Sequence, residues 1–348
     1  MKIQFVSRNA LVHNLDNKQY LCPKFVINLK FNPMNPLPVY TDIEQAHLRI
    51  RPFIHHTPVL SSQSINQIVG AELFFKCENL QKVGAFKFRG ACNSVFSLTS
   101  EEARNGVCTH SSGNHAAALA LAARMRGIPA YIVMPENAPE IKKMAVAGYG
   151  AQITFCSPTL EARESTLKKV AEETGATEIH PYNNFNVICG QGTAAKELID
   201  EIGILEIVMA PVGGGGLLSG TAISAKALLR EALVIGTEPA GADDAFRSFY
   251  SKTLHPSVAP KTIADGLLTS LGSLTFPIIL DKVDQIVTIS EENIVAAMRM
   301  IWERMKIIIE PSSAVPLAAI LENKVDVKGK KVGIILSGGN VDMGRLPF

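Results

Sequence analysis

The sequence predicts an α/β fold in which helices cover both faces of parallel sheets. From Leu73 onward, short apolar runs alternate with helical patterns, and few long gaps separate them. Such alternation is typical of parallel sheets, because a parallel connection usually returns through a helix. The predicted strands are Leu73 to Cys77, Gly106 to Thr109, Ala130 to Met134, Gln152 to Cys156, Ile207 to Val212, Val234 to Thr237, Gln285 to Ile289 and Lys331 to Leu336. The helices predicted between them include Asn114 to Met125, Glu161 to Glu173, Gly192 to Ile202, Leu217 to Leu229 and Glu291 to Met305.

The composition is that of a globular protein and excludes two classes of partner. Hydrophobic residues make up 47% of the 348 residues and charged residues 19%. No stretch approaches the roughly eighteen uninterrupted apolar residues that a membrane helix needs. The net charge of +2 is too small for a strong electrostatic field, and no basic run interleaves with aromatic residues. We therefore expect neither a membrane span nor nucleic-acid binding.

The cysteines indicate the compartment. Six cysteines are scattered without C-x-x-C spacing, and most of them lie in apolar patterns: Cys22, Cys77, Cys92, Cys108, Cys156 and Cys189. This distribution is typical of buried free thiols and not of a zinc site or a disulfide framework. We therefore predict a cytoplasmic protein.

Residues 1–33 differ in composition from the rest of the chain. They carry five Lys or Arg residues and a single acidic residue, Asp16. We expect a poorly ordered extension, and an organelle-targeting segment remains the alternative. The folded body is predicted to open with a helix, because the residues from Thr41 to Glu44 fit a capping box.

Four consecutive glycines, Gly213 to Gly216, separate the predicted strand that ends at Val212 from a helix that begins near Leu217. Bare backbone N–H groups in front of a helix N-terminus form a cradle for anions such as phosphate. The spacing fits neither a dinucleotide fingerprint nor a P-loop, since Gly220 is followed by Thr221 and Ala222. A tight turn without a ligand remains the alternative.

Lys87 lies between two phenylalanines, Phe86 and Phe88, beside glycines. Such a lysine commonly buries its stem and keeps its amine in water. The alternative is a desolvated amine with a lowered pKa that can form a Schiff base. Together with the glycine run, this second interpretation is favoured, because pyridoxal phosphate needs one lysine for its aldehyde and one backbone cup for its phosphate.

Four motifs in a fixed order carry a family resemblance. They are G-A-F-K-F-R-G-A around Lys87, S-S-G-N-H at 111–115, G-G-G-G-L at 213–217 and L-S-G-G-N at 336–340. From about Val39 to its end, the chain resembles the fold-type II pyridoxal-phosphate enzymes, which are tryptophan synthase β-like, and within them the serine racemase and serine/threonine dehydratase branch. The resemblance implies two doubly wound parallel-sheet domains with the cofactor between them. The large domain would comprise residues 34–105 and 184–348, and a small mobile domain residues 106–183.

The resemblance also implies roles for individual residues. Lys87 would be the Schiff-base lysine and the base on one face of the cofactor, and Ser112 the second proton donor on the opposite face. The implied cofactor contacts are Phe86, Lys87, Asn114, Gly213, Gly214, Gly215, Gly216, Leu217 and Ser337. The implied substrate contacts are Ser111, Ser112, Asn114, His115 and Arg163. Glu238, the Ala242 carbonyl and Asp244 would hold a divalent cation, namely Mg²⁺, Mn²⁺ or Ca²⁺, for which a solvated acidic turn is the alternative.

Ser337 would face the pyridine nitrogen of the cofactor. A serine cannot donate a full charge, so we expect a largely unprotonated ring that favours elimination over transamination. Ser313 and Tyr182 are two of the departures of this chain from the family pattern. Ser313 replaces a glycine in an E-P-S-G-A pattern that starts at Glu310, a residue which the family places near the cofactor, and Tyr182 stands where some relatives have asparagine.

The expected function is that of a hydroxyamino-acid ammonia-lyase of the serine/threonine dehydratase type with serine racemase activity. The alternatives are a primary serine racemase and a 3-hydroxyaspartate dehydratase. A β-replacement transferase such as cysteine synthase is less favoured, because it usually carries T-S-G-N-T where this chain has S-S-G-N-H. The resemblance further implies a small hydroxyamino-acid substrate and a homodimer.

Overall fold

A six-stranded sheet and a four-stranded sheet form the framework of the protein. The computed structural model describes residues 36–348, except Ser112 and Pro139. The strands are β1 Val59–Leu60, β2 Glu72–Cys77, β3 Val107–His110, β4 Ala130–Pro135, β5 Gln152–Cys156, β6 Thr177–Glu178, β7 Ile207–Pro211, β8 Leu233–Pro239, β9 Gln285–Ile289 and β10 Lys331–Leu336. The helices are α1 Tyr40–Ile50, α2 Gln63–Val69, α3 Lys87–Ser97, α4 Ser100–Ala103, α5 Asn114–Arg126, α6 Glu140–Gly148, α7 Leu160–Thr174, α8 Phe185–Ile202, α9 Gly216–Leu228, α10 Asp244–Ser251, α11 Thr275–Lys282, α12 Glu291–Met305 and α13 Pro311–Leu321.

Both sheets are built from parallel strands, as the alternating pattern predicts. The large sheet has the order β1-β2-β10-β7-β8-β9, and the small sheet has the order β5-β4-β3-β6. All described pairs are parallel except β1 with β2, which is an antiparallel pair at the edge of the large sheet. The predicted α/β fold is therefore confirmed, with one short antiparallel edge strand in addition.

The four strands of the small sheet all come from residues 107–178. This range lies inside the segment 106–183, for which a separate small domain is predicted. The division into a large domain and a mobile small domain stays a prediction. The predicted N-terminal extension, residues 1–33, lies outside the described residues.

Strand β7 shows why the large sheet needs helices on both faces. All five of its residues are buried, and successive side chains of a strand point to opposite faces. Ile207 and Met209 pack in the core that α13 covers, whereas Val208 and Ala210 pack in the core that contains the apolar residues of α9. A continuous apolar run therefore becomes a central parallel strand, since neither of its faces is left to solvent.

Three smaller expectations concern the first helix, the cysteines and membrane spans. The prediction that Thr41 caps the first helix was wrong, because α1 begins at Tyr40 and Asp42 Oδ2 accepts a 2.9 Å hydrogen bond from the Val39 N–H. The described cysteines are buried free thiols, as predicted, and Cys22 lies outside the described residues. Among the described helices, none is long and apolar enough to cross a membrane.

A buried ion network joins β2, α3 and α8, and its central residue, Arg89, lies two residues after the predicted Schiff-base lysine. The Arg89 guanidinium binds Glu78 (Nε–Oε2 2.6 Å) and Glu197 (Nη2–Oε2 2.7 Å), and Lys76 Nζ lies 2.7 Å from the same Glu197 oxygen. All four side chains are at most 3% exposed. Burial alone raises the pKa of Glu197, but hydrogen bonds and charge from Arg89 and Lys76 lower it to about 2. Two carboxylates and two cations thus neutralise each other inside the protein.

We expect the Arg89→Met substitution to lower the free energy of unfolding by about 3–5 kcal/mol, because it leaves two buried carboxylates with a single cation. Urea denaturation at neutral pH measures this loss. The matched control is Arg89→Lys, which keeps the charge but not the paired hydrogen bonds and should cost less. If the Met variant unfolded at the same urea concentration as the unmodified protein, the network would not contribute to stability.

Candidate active site

The segment that carries Lys87 is held against the loop after β10. Ala85 and Gly338 form an isolated antiparallel bridge, and the Phe86 N–H donates a 2.9 Å hydrogen bond to the Ser337 carbonyl. The chain turns into α3 immediately afterwards, so Lys87 is the first residue of that helix. Two motifs that lie about 250 residues apart in the sequence thus meet at the carboxyl end of β10, where parallel sheets bind ligands.

The Lys87 amine lies in a low-polarity environment. Its Nζ donates a 2.9 Å hydrogen bond to the Pro181 carbonyl and lies 5.2 Å from the centre of the Phe86 ring. Burial lowers the pKa of Lys87 to about 8, although the negative charge of Glu310 opposes this shift. At pH 7 about a tenth of the amine is therefore neutral, and hence nucleophilic, and this fraction rises with pH.

The glycine run forms the turn between β7 and α9. Gly215 has a φ of +88°, a conformation that side chains other than glycine rarely adopt, and α9 begins at Gly216. Among the described residues, no acceptor pairs with the N–H groups of Gly213 to Leu217. The Thr275 hydroxyl donates a 2.8 Å hydrogen bond to the Gly214 carbonyl and so fixes the orientation of that peptide. Unpaired N–H groups before the first turn of a thirteen-residue helix fit a phosphate group.

Pro181 and Tyr182 connect the lysine to the glycine run. Pro181 accepts the Lys87 hydrogen bond, and a Cβ atom at Gly214 would overlap the Tyr182 ring. The ring also packs edge-on against His180, with the ring centres 4.6 Å apart. The close approach of Tyr182 is therefore a second reason for glycine at position 214, in addition to the access that a phosphate needs.

Ser337 follows the last residue of β10 and is 2% exposed. Its Oγ lies 3.0 Å from the Oγ of Ser313, which is fully buried near the start of α13. The structure therefore brings together the residue that is predicted to face the pyridine nitrogen and one of the two departures from the family pattern.

The loop after β3 leads into α5, whose first residue is Asn114. Asn114 Nδ2 donates to both carboxylate oxygens of Glu310, at 3.1 Å each, and Asn340 Nδ2 donates to Asn114 Oδ1 at 3.0 Å. Glu310 is 3% exposed, and burial together with the charge of Asp265 raises its pKa to about 7. The predicted contact between Asn114 and the cofactor stays a prediction. Ser112 lies outside the described residues.

The other predicted substrate contacts differ in their surroundings. Ser111 follows β3 and is partly buried, whereas His115 is 2% exposed and its Nε2 lies 3.1 Å from the Ile179 carbonyl. Burial lowers the pKa of His115 to about 3, so its ring is neutral. Arg163 lies on α7, and its buried Nε has no acceptor among the described residues. Burial lowers the pKa of His110, the residue before Ser111, while the charge of Glu164 opposes this shift and the charge of Arg163 adds to it.

Two buried carboxylates flank the turn between β8 and α10, Glu238 in the strand and Asp244 at the start of the helix. Glu238 accepts hydrogen bonds from the N–H groups of Ala245 (2.9 Å) and Phe246 (2.8 Å), and burial raises its pKa to about 9. Asp244 is 1% exposed, and neither of its carboxylate oxygens has a hydrogen-bond partner among the described residues. Burial raises the pKa of Asp244 to about 6. A buried carboxylate without a partner is costly, so Asp244 favours a cation at this turn.

The predicted cation ligands are the two carboxylates and the carbonyl of Ala242, which is 4% exposed in the same turn. The described residues contain no cluster of three or more His, Cys, Asp or Glu side chains that could hold a metal ion. A cation at this turn would therefore rely on carbonyl oxygens and water for its remaining ligands, as Mg²⁺ and Ca²⁺ commonly do.

Sequence reasoning did not identify Pro181, Thr275 or Asn340 as parts of the site. Pro181 contributes only its carbonyl oxygen, which every residue type has, so no pattern in the sequence marks it. Thr275 begins α11, and its hydroxyl supports the glycine run from a distant part of the chain. Asn340 belongs to the motif at 336–340, and this motif was the one feature of the sequence that could have identified it as part of the site.

Comparison with known proteins gives consistent results. Residues 50–338 match the model of a family described as pyridoxal-phosphate dependent enzyme. The chain is 53% identical over 319 residues to the serine racemase of Dictyostelium discoideum, covering 90% of this chain and 98% of that protein. It is 51% identical over 312 residues to the beta-hydroxyaspartate dehydratase of Paracoccus denitrificans (strain Pd 1222), covering 90% of this chain and 99% of that protein.

The solved structures agree with the curated relatives. The structure of maize serine racemase matches with a TM-score of 0.87 and 46% identity, over 89% of this chain and 95% of that one. The family model spans most of the chain, and the two relatives are more than 50% identical to it over nearly their full lengths. The chain therefore belongs to the family of pyridoxal-phosphate dependent enzymes, and its fold is that of fold type II.

Proposed function

We propose that this protein is a hydroxyamino-acid dehydratase, which removes water from its substrate and releases a keto acid and ammonia. The observation that carries the proposal is the buried Lys87 amine with its lowered pKa, linked through Pro181 and Tyr182 to the unpaired N–H groups of the glycine run. A reactive amine and a phosphate cradle at one edge of the sheet are the two groups that pyridoxal phosphate requires.

When bound, pyridoxal phosphate supplies an electron sink that acidifies the Cα–H bond of an amino acid. The N–H groups of Gly213 to Leu217 would hold the phosphate at the start of α9. Lys87 would hold the cofactor through its aldehyde, and its buried amine would serve as the base for the Cα proton of a bound amino acid. Phe86 packs beside the lysine and keeps water away from it.

The substrate carboxylate is held by the loop at 111–115 and by Arg163. Backbone N–H groups at the start of α5 suit an anion, and Arg163 Nε, which has no acceptor among the described residues, is a cationic donor. The buried, neutral ring of His115 supports this loop from behind by its contact with Ile179. With the amine and the carboxylate both fixed, Lys87 would remove the Cα proton, and its ammonium group would return that proton to the β-hydroxyl, which leaves as water. The dehydrated product then takes up one water as it hydrolyses to the keto acid and ammonia.

A second activity, serine racemisation, is supported by the names of the relatives. The relative from Dictyostelium discoideum is called a serine racemase, and the one from Paracoccus denitrificans acts on beta-hydroxyaspartate. Racemisation needs a proton donor on the face of the cofactor opposite Lys87, and Ser112 is the residue proposed for this role. The preferred substrate among L-serine, L-threonine and 3-hydroxyaspartate is to be identified by measuring the turnover numbers of all three side by side.

The turn that contains Glu238, Ala242 and Asp244 is proposed as a site for Mg²⁺, Mn²⁺ or Ca²⁺. The support is the pair of buried carboxylates, of which Asp244 has no described partner.

The homodimer stays a prediction. The cytoplasm is proposed as the compartment because the described cysteines are free thiols, which suits a reducing environment.

Borohydride reduction in the presence of pyridoxal phosphate should fix the cofactor onto Lys87, as peptide mass spectrometry can show. The rate of attachment should rise with pH and level off above about 8, because only the neutral amine attacks the aldehyde. Lys87→Ala should abolish the label, whereas Lys82→Ala, which removes a neighbouring lysine, should retain it. A purified protein that stays colourless and takes up no cofactor would contradict the proposal.

For the second face, we expect Ser112→Ala to stop the formation of D-serine from L-serine. Elimination from L-substrates should be spared more than elimination from D-substrates, because Lys87 still removes the proton on its own face. Chiral chromatography of the serine pool and a coupled keto-acid assay measure the two products. Equal loss of all activities would mean that Ser112 does not act on one face alone.

For the cation site, Mg²⁺ at 100 times its dissociation constant should stabilise the protein by about 2.7 kcal/mol, which chelation removes. Asp244→Asn should abolish this difference, because the neutral amide is a weaker ligand. The matched control is Asp243→Asn, since Asp243 is partly exposed and paired with Arg247. Thermal melts with and without EDTA measure the effect. If EDTA does not change the melting temperature of the unmodified protein, the proposal that this turn binds a cation is contradicted.

A further inference from the structure

The segment between β6 and α8 contains a side-chain contact that supports the acceptor of Lys87. His180 Nδ1 accepts hydrogen bonds from the N–H groups of Asn183 (3.0 Å) and Tyr182 (3.4 Å). Asparagine and serine side chains fix turns and helix starts in the same way, by accepting from the N–H groups two or three residues later. In this segment an imidazole takes that role.

The two contacts determine where the His180 ring carries its proton. A backbone N–H can only donate, so Nδ1 presents its lone pair to both of them, and the ring proton is on Nε2. The ring lines a cavity together with His110, Glu164 and Glu178. Burial lowers the pKa of His180 to about 4, and His110 and Lys87 add to this effect. His180 is therefore neutral at neutral pH.

One peptide unit connects His180 to the lysine. The Tyr182 N–H and the Pro181 carbonyl belong to the same peptide, and in a planar trans peptide these two groups point in opposite directions. The N–H faces His180 Nδ1, and the carbonyl accepts the 2.9 Å hydrogen bond from Lys87 Nζ. By holding the N–H, His180 therefore also sets the direction of the carbonyl.

Other contacts hold the segment in place independently of His180. Asn183 Oδ1 accepts a 2.8 Å hydrogen bond from the Leu274 N–H, and Asn183 Nδ2 donates to Ser273 Oγ at 3.1 Å. The Tyr182 ring lies against Gly214, where a Cβ atom would overlap it. Replacing His180 should therefore free the peptide between residues 181 and 182 to rotate without displacing the whole segment.

We propose that His180 is a positioning residue, whose unprotonated Nδ1 keeps the Pro181 carbonyl directed at the Lys87 amine. A carbonyl that accepts from Lys87 stabilises the ammonium form more than the neutral amine, so it opposes the effect of burial on the lysine. Lys87 is thereby a stronger base than burial alone would leave it. The meaning of this contact for catalysis rests on the proposed function, in which Lys87 is the base for the Cα proton.

The sign of a change in the Lys87 pKa separates positioning from a general loosening of the site. The charge of Glu310 raises this pKa, and the ring of His115 is neutral. His180 is neutral too, so an uncharged replacement removes no charge. Loss of the carbonyl contact lowers the pKa of Lys87, whereas water that enters a loosened site raises it towards the ordinary value of a lysine.

The test measures the pKa of Lys87 in the full-length protein after removal of any cofactor. Trace acetylation with acetic anhydride at a series of pH values, followed by peptide mass spectrometry, gives the reactivity of each lysine, because only the neutral amine reacts. The midpoint for Lys87 should lie near 8 in the unmodified protein. We expect His180→Ala to lower this midpoint by about one pH unit, which corresponds to the loss of one hydrogen bond to a charged group.

Three further variants test the contact itself. In His180→Asn, Oδ1 can replace Nδ1 as the acceptor in the turn, so the midpoint should stay near that of the unmodified protein. In His180→Gln, the amide reaches the position of Nε2 instead, and the midpoint should fall as in His180→Ala. The matched control is His110→Asn, which removes a neighbouring ring, 6.2 Å away between ring centres, but no contact of the turn. Its midpoint should be unchanged.

The outcomes are independent of cofactor binding, because acetylation needs no pyridoxal phosphate. The role of His180 is overturned if His180→Ala leaves the midpoint unchanged or raises it, or if His180→Asn shifts it as much as His180→Gln does. An equal shift in His110→Asn would also overturn it. If His180→Ala does not fold, the comparison of the Asn and Gln variants decides. The proposed function fails separately, if the unmodified protein takes up no cofactor onto Lys87.

Discussion

The site depends on how the first turn of α3 is fixed. On the C-terminal side of Lys87, the Arg89 guanidinium is bound by Glu78 and Glu197, and Glu197 also binds Lys76. Removing these charges from water is costly, so they remain inside only while each has its partner. On its N-terminal side, Ala85 and Phe86 pair with the loop after β10. Since both ends of the turn are held, the amine stays in the buried position that lowers its pKa.

Glu310 connects the separate parts of the site. Its carboxylate accepts from Asn114 at the start of α5 and from the backbone of Asn340, and its charge opposes the lowering of the Lys87 pKa. Because the pKa of Glu310 is raised to about 7, its charge changes within the range in which Lys87 begins to lose its proton. The two groups therefore influence each other, and a single buried carboxylate links the small-sheet loop to the lysine.

The sequence predicted the framework well where local patterns were strong. Three strands, Gln152–Cys156, Gln285–Ile289 and Lys331–Leu336, begin and end as predicted, because alternating or continuous apolar runs bounded by polar residues define them. The start of α1 was misplaced, because Asp42 caps the backbone of Val39 and the Thr41 side chain does not. The two-residue strand β1 has too short a pattern to be recognised.

By itself, the sequence determined the parallel α/β fold, the glycine run between a strand and a helix, and the lysine between two phenylalanines, since each depends on residues that are neighbours in the chain. Only the tertiary structure decided which groups meet these residues. The acceptor for Lys87 lies 94 residues away, and the hydroxyl that touches Ser337 lies 24 residues away. Whether an amine is neutral or a carboxylate unpaired depends on burial and on contacts between distant segments, which chain order does not specify.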